Sequence, residues 1–414
     1  MTFLSVILAF FFVSFTDKGN NPQVALSSEA LALRTQRGIA IDSLDYGVCP
    51  MYVDSLRKVG ATVYHTSRWL NGATVELDQT AYEKINKMSF VKALDLTSGI
   101  EEYVEWLNTQ EVGLRKKVKR DKSESIYRAP FEGEEPEWEA QLKAYNLLPL
   151  HEAGFKGQGV TIAVIDGGFQ NINTFVAFDS IRNSGRLLGQ LNFATDDDAF
   201  DGPSGEHGSV CMALIAGDME NYQGAANQAR FYAIKSEENE TERPVEADNL
   251  VAAIEASDSI GAWIASISLG YALFDETPFD YKYSQLDGYT LRASRAAHIA
   301  ARKGMLLCIA AGNSGTKANW PWISSPADAD SILTVGAVGL DSIAADFSSI
   351  GPAADGRIKP DVCAVGKGAC VISPKNETVY YGNGTSFATP LVAGLAACLW
   401  SALPAETNRT LCDE

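Results

Sequence analysis

The segment Gly159-Val-Thr-Ile-Ala-Val-Ile-Asp-Gly-Gly168 indicates the fold of the larger part of this 414-residue chain. From Gly159 to Ile165 it is almost continuously apolar, without the alternation that a strand with one solvated face would show. A strand that is apolar on both faces is typical of a parallel sheet covered by helices. Three similar runs follow, at 264–269, 304–310 and 332–338.

Helical stretches alternate with these apolar runs. An alternation of strand and helix predicts an open α/β sheet, with the active site at the carboxyl ends of its strands. We therefore expect one parallel-sheet α/β domain over residues 146–414. The predicted helices lie at 208–215, 247–256, 290–303 and 386–399.

Four short polar motifs stand where a predicted strand ends or a predicted helix begins. In such places the backbone is free, and glycine allows close approach by other groups. Each motif alone is more simply explained as a turn or a helix cap, but the four together favour a single site. They are Val-Ile-Asp166-Gly-Gly, Gly-Glu-His207-Gly-Ser, Ala-Ala-Gly-Asn313-Ser-Gly and Gly-Thr-Ser386-Phe-Ala-Thr-Pro.

These four side chains have the chemistry of nucleophilic catalysis. A serine hydroxyl becomes an effective nucleophile when a histidine takes its proton, and an aspartate fixes the tautomer of that histidine. An asparagine amide can donate a hydrogen bond to an oxyanion. His207 is the candidate base by elimination, because it alone lies between glycines at a helix start. The other histidines are His65, His151 and His298.

The order of these residues and the motifs around them resemble the subtilisin-like serine protease (subtilase) family, over roughly residues 147–403. The Gly-Thr-Ser-x-Ala-x-Pro motif is the most specific of the four. The resemblance implies that Asp166 orients the histidine and that His207 is general base and then acid. It also implies that Ser386 attacks the substrate and that Asn313 helps to form the oxyanion hole.

The resemblance also implies where an extended polypeptide substrate binds. One segment resembles the family's edge segment, which pairs with substrate through main-chain hydrogen bonds. Another resembles a wall of the pocket for the residue before the cut. The first consists of Ser268, Leu269 and Gly270, and the second of Ala310, Ala311 and Gly312. The motifs depart from the family only slightly, for example at Ser209, where threonine is usual.

Residues 27–97 are predicted to form a separate unit with the element order β-α-β-β-α-β, the split ferredoxin-like pattern. We predict its first strand at 38–42, a helix opening at Pro50 and a hairpin that turns at Asn71-Gly72. This small α+β unit resembles the propeptide that many subtilases use as a folding aid and temporary inhibitor. The chain's own prodomain is therefore an expected partner.

The apolar run from Phe3 to Phe15 predicts the hydrophobic region of a signal peptide within residues 1–18. The run is short for a bilayer span, so no stable membrane anchor is expected. An alternative is a buried N-terminal strand or helix. A signal peptide would place the protein outside the cytoplasm, secreted or periplasmic.

Two further regions are irregular. Residues 98–145 carry a basic cluster at 115–120 and an acidic cluster at 132–137, which together predict an exposed linker with a processing site as a minority hypothesis. The chain ends soon after the helix at 386–399. Because the resemblance implies further elements, we expect the peptidase domain to be truncated at its C-terminus.

The net charge of −18 argues against nucleic acid as a partner, because phosphate binding needs a basic surface. None of the seven cysteines forms a C-x-x-C pair, so we predict no metal site among the candidate site residues and no certain cofactor. A structural calcium ion at the acidic run Asp196-Asp-Asp198 is the alternative to an ordinary charged loop, which is favoured.

The sequence therefore predicts a secreted serine endopeptidase that hydrolyses polypeptides through an acyl-enzyme and is made as a zymogen. The alternative, from another class, is a catalytically silent subtilase-like binding scaffold. An esterase is disfavoured, because the chain lacks Gly-x-Ser-x-Gly and has the wrong residue order for that fold.

Overall fold

A computed structural model gives the structure of the chain and describes residues 8–99, 138–194, 199–238 and 241–412. The strands are β1 (Ala9–Phe15), β2 (Thr62–Ser67), β3 (Gly72–Leu77), β4 (Val91–Gly99), β5 (Thr161–Asp166), β6 (Leu187–Asn192), β7 (Asp218–Met219), β8 (Tyr222–Gln223), β9 (Arg230–Lys235), β10 (Ile264–Ile267), β11 (Leu306–Ala310), β12 (Leu333–Val338), β13 (Val362–Val365), β14 (Lys367–Ile372) and β15 (Val379–Asn383). The helices are α1 (Ser28–Gln36), α2 (Pro50–Lys58), α3 (Gln79–Ile85), α4 (Trp138–Lys143), α5 (Leu148–Glu152), α6 (Asp179–Asn183), α7 (Glu206–Ala216), α8 (Val245–Ser259), α9 (Arg292–Arg302), α10 (Thr385–Ala402) and α11 (Asn408–Leu411).

The large sheet has seven strands in the order β13-β12-β11-β10-β5-β9-β6, and all its pairings are parallel. Successive residues of β5 point into different apolar layers. Ile162 and Val164 join the layer formed with α7 and α10, whereas Ala163 and Ile165 join the layer formed with α8 and α9. The sheet is therefore covered on both faces, as its continuous apolar runs predicted.

The small sheet is antiparallel, with the order β2-β3-β1-β4. This is the expected ferredoxin-like arrangement, so the predicted fold class is confirmed for both units. The first strand was misassigned, however. The stretch 38–42 is not a strand, and β1 (Ala9–Phe15) pairs with both β3 and β4 instead.

The apolar run near the N-terminus is therefore a core strand. All but one of the residues of β1 are buried, and its odd-numbered side chains, among them Phe11 and Val13, pack into the core of the small domain. The assignment of residues 1–18 to a signal peptide is wrong for this part of the run, because its removal would take out a central strand of the sheet. For the same reason the unit begins before residue 27.

The linker also ends earlier than predicted. Residues 138–143 form α4, whose Gln141 side chain is buried and exchanges hydrogen bonds with the main chain of Cys370. Leu142 belongs to the main apolar layer of the large domain. The large domain therefore includes residues 138–145, which the linker of 98–145 had included, because a short amphipathic helix follows directly on the acidic cluster.

Several predictions fall on parts of the chain that lie outside the described residues. They concern the clusters at 115–120 and 132–137 and the acidic run Asp196–Asp198, so the processing site and the calcium site stay predictions. The expected truncation also stays a prediction. Beyond α10 the chain continues into α11, where Leu411 is buried in the main apolar layer.

Among the described helices, α10 is the one that is long and apolar enough to cross a membrane. About two thirds of it, 67% of its 18 residues, is buried inside the large domain. Its composition is thus that of a core helix packed against the sheet, and its first turn carries Ser386.

Candidate active site

The acid of the site is fixed at the carboxyl end of β5. Asp166 is the last residue of this strand and is 1% exposed. Its Oδ1 accepts two hydrogen bonds, one from the Gly167 N–H at 2.8 Å and one from His207 Nδ1 at 2.8 Å. Both groups therefore donate to the same carboxylate oxygen, while Oδ2 lies buried without a hydrogen bond.

The histidine is held close to this acid by glycines. His207 is in the first turn of α7, and its neighbours Gly205 and Gly208 touch the turn that follows β5. A Cβ on Gly208 would lie 2.1 Å from the carbonyl oxygen of Gly168 and 2.9 Å from Asp166 Cβ. No side chain larger than hydrogen fits there, so the helix start lies directly against the strand end.

The pKa of His207 lies well above its ordinary value of 6.5. Burial, the largest single influence, opposes this shift because it disfavours the charged imidazolium, but the charge of Asp166, the contact with Cys211 and the hydrogen bonds to both together outweigh it. The thiol of Cys211 lies 3.9 Å from both ring nitrogens and adds a hydrogen-bonding contact. Asp166 therefore stabilises the protonated form of His207.

The serine lies in the first turn of α10, and a proline one turn later shapes its surroundings. Pro390 has no N–H, so the carbonyl of Ser386, four residues before it, lacks its usual helical donor. That carbonyl accepts instead from Ser268 Oγ at 2.9 Å and from Cys211 Sγ at 3.4 Å. The helix start is thus tied both to β10 and to α7.

Cys211 lies between the serine and the histidine. Its sulfur contacts the main chain of Ser386 and the ring of His207, so these two residues lie on either side of one atom. The Ser386 hydroxyl is directed to the Ser268 carbonyl at 3.4 Å. In apo structures catalytic hydrogen bonds are often long, and they tighten only when a substrate is bound.

Asn313 has a defined amide orientation. Its Oδ1 accepts from the Thr385 N–H at 2.8 Å and from Thr385 Oγ1 at 3.0 Å. A backbone N–H can only donate, so the oxygen must face Thr385 and the NH₂ group faces away from it. The adjacent Gly312 has φ +108°, a conformation that side-chain-bearing residues avoid.

The two predicted substrate-binding segments approach one another at a serine. Built Cβ atoms on Gly270 and Gly312 would lie 2.2 and 3.5 Å from Ser324 Oγ. Ser268 is bonded to Ser386 on one side, and Gly270 is exposed. Both segments thus lie close to the candidate nucleophile. Within them, Leu269, Ala310 and Ala311 are buried.

The family model for the subtilase family matches residues 157–413, more than half of the chain. The chain belongs to the subtilase family. This family comprises serine peptidases, and the predicted resemblance is confirmed. Its propeptide is confirmed as well, since a model described as "Peptidase S8 propeptide domain, Bacteroidota" matches residues 10–117.

Individual subtilases are distant relatives of this one. Serine protease AprX of Bacillus subtilis (strain 168) is 28% identical over 59% of this chain and 57% of its own length. Subtilisin DY of Bacillus licheniformis is 28% identical over 64% of this chain and 87% of its own. Subtilisin NAT of Bacillus subtilis subsp. natto is 25% identical over 87% and 78%. The chain thus spans a little over half the length of AprX.

Two residues of this subtilase site were missed by the sequence argument. Cys211 follows His207 by one helical turn, a spacing that places both on one face of α7, and this periodicity was available as a signal. Ser324 lies in Trp-Ile-Ser324-Ser-Pro, which matches no catalytic motif. Its place beside Gly270 and Gly312 follows only from the tertiary fold.

Asp166, His207 and Cys211 also form the one group of three within the described residues whose donor atoms could converge on a metal, since these atoms lie within 4.8 Å of one another. Their chemistry suits this poorly. Nδ1 of the histidine is engaged with Asp166, and burial raises the pKa of the Cys211 thiol, whereas metals bind the thiolate. The arrangement is better suited to holding a proton on the imidazole.

Replacing Gly208 by alanine is expected to damage both the site and the fold. The new methyl group would meet a carbonyl oxygen and a Cβ, neither of which can rotate away. Overpacking of this kind costs about 1–3 kcal/mol, and a displacement of about 1 Å can lower activity about a hundredfold. Thermal unfolding and peptide hydrolysis measure the two effects.

The control for stability, measured in the unprocessed chain, is Gly47→Ala, because its built Cβ has no neighbour closer than 3.8 Å. This variant should unfold at the temperature of the unchanged protein. Full activity of the Gly208→Ala variant would mean that α7 and β5 are not in the close contact described.

Proposed function

We propose that this subtilase is an endopeptidase that cleaves polypeptides through an acyl-enzyme on Ser386. In this proposal His207 removes the serine proton, Asp166 stabilises the resulting imidazolium, and the Asn313 NH₂ group donates to the oxyanion. The observation that carries it is the 2.8 Å bond between His207 Nδ1 and Asp166, made beside the helix start that bears Ser386.

Three features near Ser386 support peptide hydrolysis: the free pair of electrons on His207, the start of α10 and the exposed main chain of Gly270. Because Nδ1 of His207 is bonded to Asp166, Nε2, whose neighbour is the Cys211 thiol at 3.9 Å, is the proton acceptor. Ser386 at the start of α10 adds the positive end of a helix dipole, which favours a developing negative charge. Gly270 is exposed, so its main chain is accessible to an extended peptide.

Labelling with a fluorophosphonate tests the proposal. We expect Ser386 to be modified in protein freed of its N-terminal unit, and the Ser386→Ala and His207→Ala variants to remain unlabelled. The matched control is Ser401→Ala, which removes a hydroxyl from the other end of the same helix and should leave labelling unchanged. Folded protein that is never labelled would favour the silent binding scaffold instead.

We also propose that the chain is made as a zymogen whose propeptide stays bound to the large domain until the linker is cut. Glu255 at the end of α8 accepts from the N–H groups of Arg68 and Trp69, and Glu276 accepts from the N–H of Gly99 at the end of β4. Active protein that retained its N-terminal unit in one unbroken chain would contradict this.

Action outside the cytoplasm, secreted or periplasmic, remains part of the proposal. The match to a propeptide family supports it, since a propeptide that is removed late suits a protease kept inactive during export. Fractionation of producing cells tests this step: recovery of the processed peptidase only from the cytoplasm would refute it.

The raised pKa of His207 predicts the pH dependence of the proposed reaction. A general base must be neutral, so kcat/KM should fall about tenfold for each pH unit below the pKa of His207, with a midpoint above 6.5. A pH profile of kcat/KM measures this. The His298→Gln variant should keep the same midpoint, whereas a midpoint at or below 6.5 would contradict a raised pKa for His207.

A further inference from the structure

The propeptide carries an insertion that its sheet does not require. Between β1 and α2 lie residues 16–49, which we call the insertion, and they include α1 (Ser28–Gln36). The β-α-β-β-α-β pattern needs only α2 between its first two strands. The insertion closes on itself through a bridge between Val24 and Tyr46, so it is a compact appendage of the small domain.

The insertion contacts the large domain at the edge opposite the candidate active site. Ser27 N–H donates to the Ser259 carbonyl at 2.8 Å, and the Arg37 guanidinium donates to the Gly304 carbonyl. Ser259 ends α8, ahead of β10, and Gly304 stands just before β11. These are the amino ends of parallel strands, whereas the site residues follow their carboxyl ends.

One side chain of the insertion contacts two indole rings. The guanidinium carbon of Arg37 is 4.5 Å from the ring centre of Trp263 and 4.3 Å from that of Trp400, and the two indole planes are inclined at 80°. Burial and the neighbouring Arg34 lower the pKa of Arg37 to about 10, so it stays cationic at neutral pH. A planar guanidinium suits such a site, because it stacks on aromatic faces while its edge donates hydrogen bonds.

One helical turn earlier, a second arginine enters a buried ionic cluster. Arg34 lies 2.8 Å from Asp258 of the large domain and 3.2 Å from Asp45 of the insertion, and it also donates to the Lys303 carbonyl. Lys303 in turn binds Asp45 at 2.7 Å. All four side chains are almost fully buried, so each charge relies on partners from the other domain.

We propose that the insertion is a second, arginine-based anchor that holds the propeptide at the amino edge of the large sheet, in addition to the contacts made by its β2–β3 hairpin, whose Arg68 binds the same Asp258 as Arg34. The segment from Arg34 to Arg37 makes this contact with the large domain. After the linker is cut, the propeptide leaves only when both contacts have opened. This consequence for maturation rests on the proposed function, but the contact itself does not.

The test uses the full chain with Ser386→Ala, so that no self-cleavage is needed, and with a recognition sequence for a site-specific protease placed between residues 120 and 121. After cleavage, size-exclusion chromatography follows how fast the propeptide separates from the large domain. Arg37→Ala and Arg34→Ala are each expected to raise the dissociation rate about tenfold or more. Arg37→Lys should give a rate between those of the parent and the alanine variant, because an ammonium group keeps the positive charge but lacks a flat face that stacks on an indole while its edge donates to Gly304.

The matched control is Arg57→Ala, which removes the same charge from α2, where Arg57 is 56% exposed and, within the described residues, pairs with Asp54 alone. Its dissociation rate should equal that of the parent. Equal rates for Arg37→Ala and Arg57→Ala would overturn the proposal. Because Ser386 is absent throughout, the result does not depend on whether the chain is a peptidase.

Hydrogen exchange in the cleaved parent complex gives a second reading that needs no arginine variant. A nine-residue helix is not stable alone in water. Slow exchange of the α1 amides would support an anchored insertion, whereas complete exchange within seconds would refute it.

Discussion

Replacing Asp166 by alanine is expected to lower kcat by about 10⁴ while the protein stays folded, as in subtilisins, where loss of the triad acid has about this effect. The carboxylate accepts a hydrogen bond from His207 Nδ1–H at 2.8 Å and stabilises the charge that the imidazole gains when it takes the serine proton. Steady-state hydrolysis of a peptide substrate by protein freed of its propeptide measures the loss.

Asp166→Asn separates the charge of the carboxylate from its geometry. The Gly167 N–H and His207 Nδ1 both bind Oδ1, so an asparagine can place its carbonyl oxygen there and keep the tautomer of the histidine. The loss of activity in Asp166→Asn should therefore be smaller than in Asp166→Ala. The pKa of His207 in Asp166→Asn should be lower than in the unchanged protein.

Asp179→Asn serves as the control and should leave kcat unchanged, because the exposed Asp179 pairs with Arg182 of the same helix and with no other described residue. A loss below tenfold in Asp166→Ala would remove Asp166 from the proposed mechanism. Unfolding temperatures of all three variants show whether any loss reflects a damaged fold.

Asn313→Asp is expected to lower kcat by about 10² to 10³, with KM little changed. An aspartate keeps the acceptor that binds Thr385 at 2.8 Å but replaces the NH₂ donor by an oxygen. The lost hydrogen bond would exist only in the transition state, so the effect should appear in kcat and not in KM.

Asn313→Leu complements this change, because it removes the donor without adding a negative charge, and its kcat should lie between those of the parent and Asn313→Asp. Equal losses in kcat and in substrate affinity would instead indicate that Asn313 positions the substrate. A fall of less than about threefold would exclude it from the oxyanion site.

Much of the large domain could be predicted from the sequence, because a parallel strand covered on both faces leaves an unmistakable apolar run. The runs at 264–269, 304–310 and 332–338 correspond to β10, β11 and β12. The two edge strands were missed, and so was the internal strand β9 (Arg230–Lys235), whose short apolar run lies between two charged side chains. In β6 (Leu187–Asn192) no residue is fully buried, so its composition resembles that of a loop.

The N-terminal strand shows where composition misleads. A signal peptide and a central strand of a small antiparallel sheet are both short apolar runs, and β1 has no polar alternation because its even-numbered residues face the large domain. Phe10 lies under Arg243 and Phe12 under Arg292, at 5.2 Å each. The partner surface that explains these side chains is distant in sequence, so no local pattern could reveal it.

The candidate site was predictable to the extent that its residues lie in motifs. Asp166, His207, Asn313 and Ser386 were all named beforehand, since each stands beside glycine at an element boundary. Ser324 and the insertion were not predictable, because their roles depend on contacts between segments far apart in the chain.

Pro390 has a consequence for how this chain can vary. Because Pro390 has no N–H, the carbonyl of Ser386 has no donor within its own helix. It accepts hydrogen bonds from Ser268 and Cys211 instead. Any other residue at position 390 would provide an N–H that can donate to this carbonyl within the helix. The Ser268 hydroxyl and the Cys211 thiol would then compete with that N–H for their acceptor. We therefore expect the effects of substitutions at positions 211, 268 and 390 to be coupled, although these positions are spread over 180 residues of the chain.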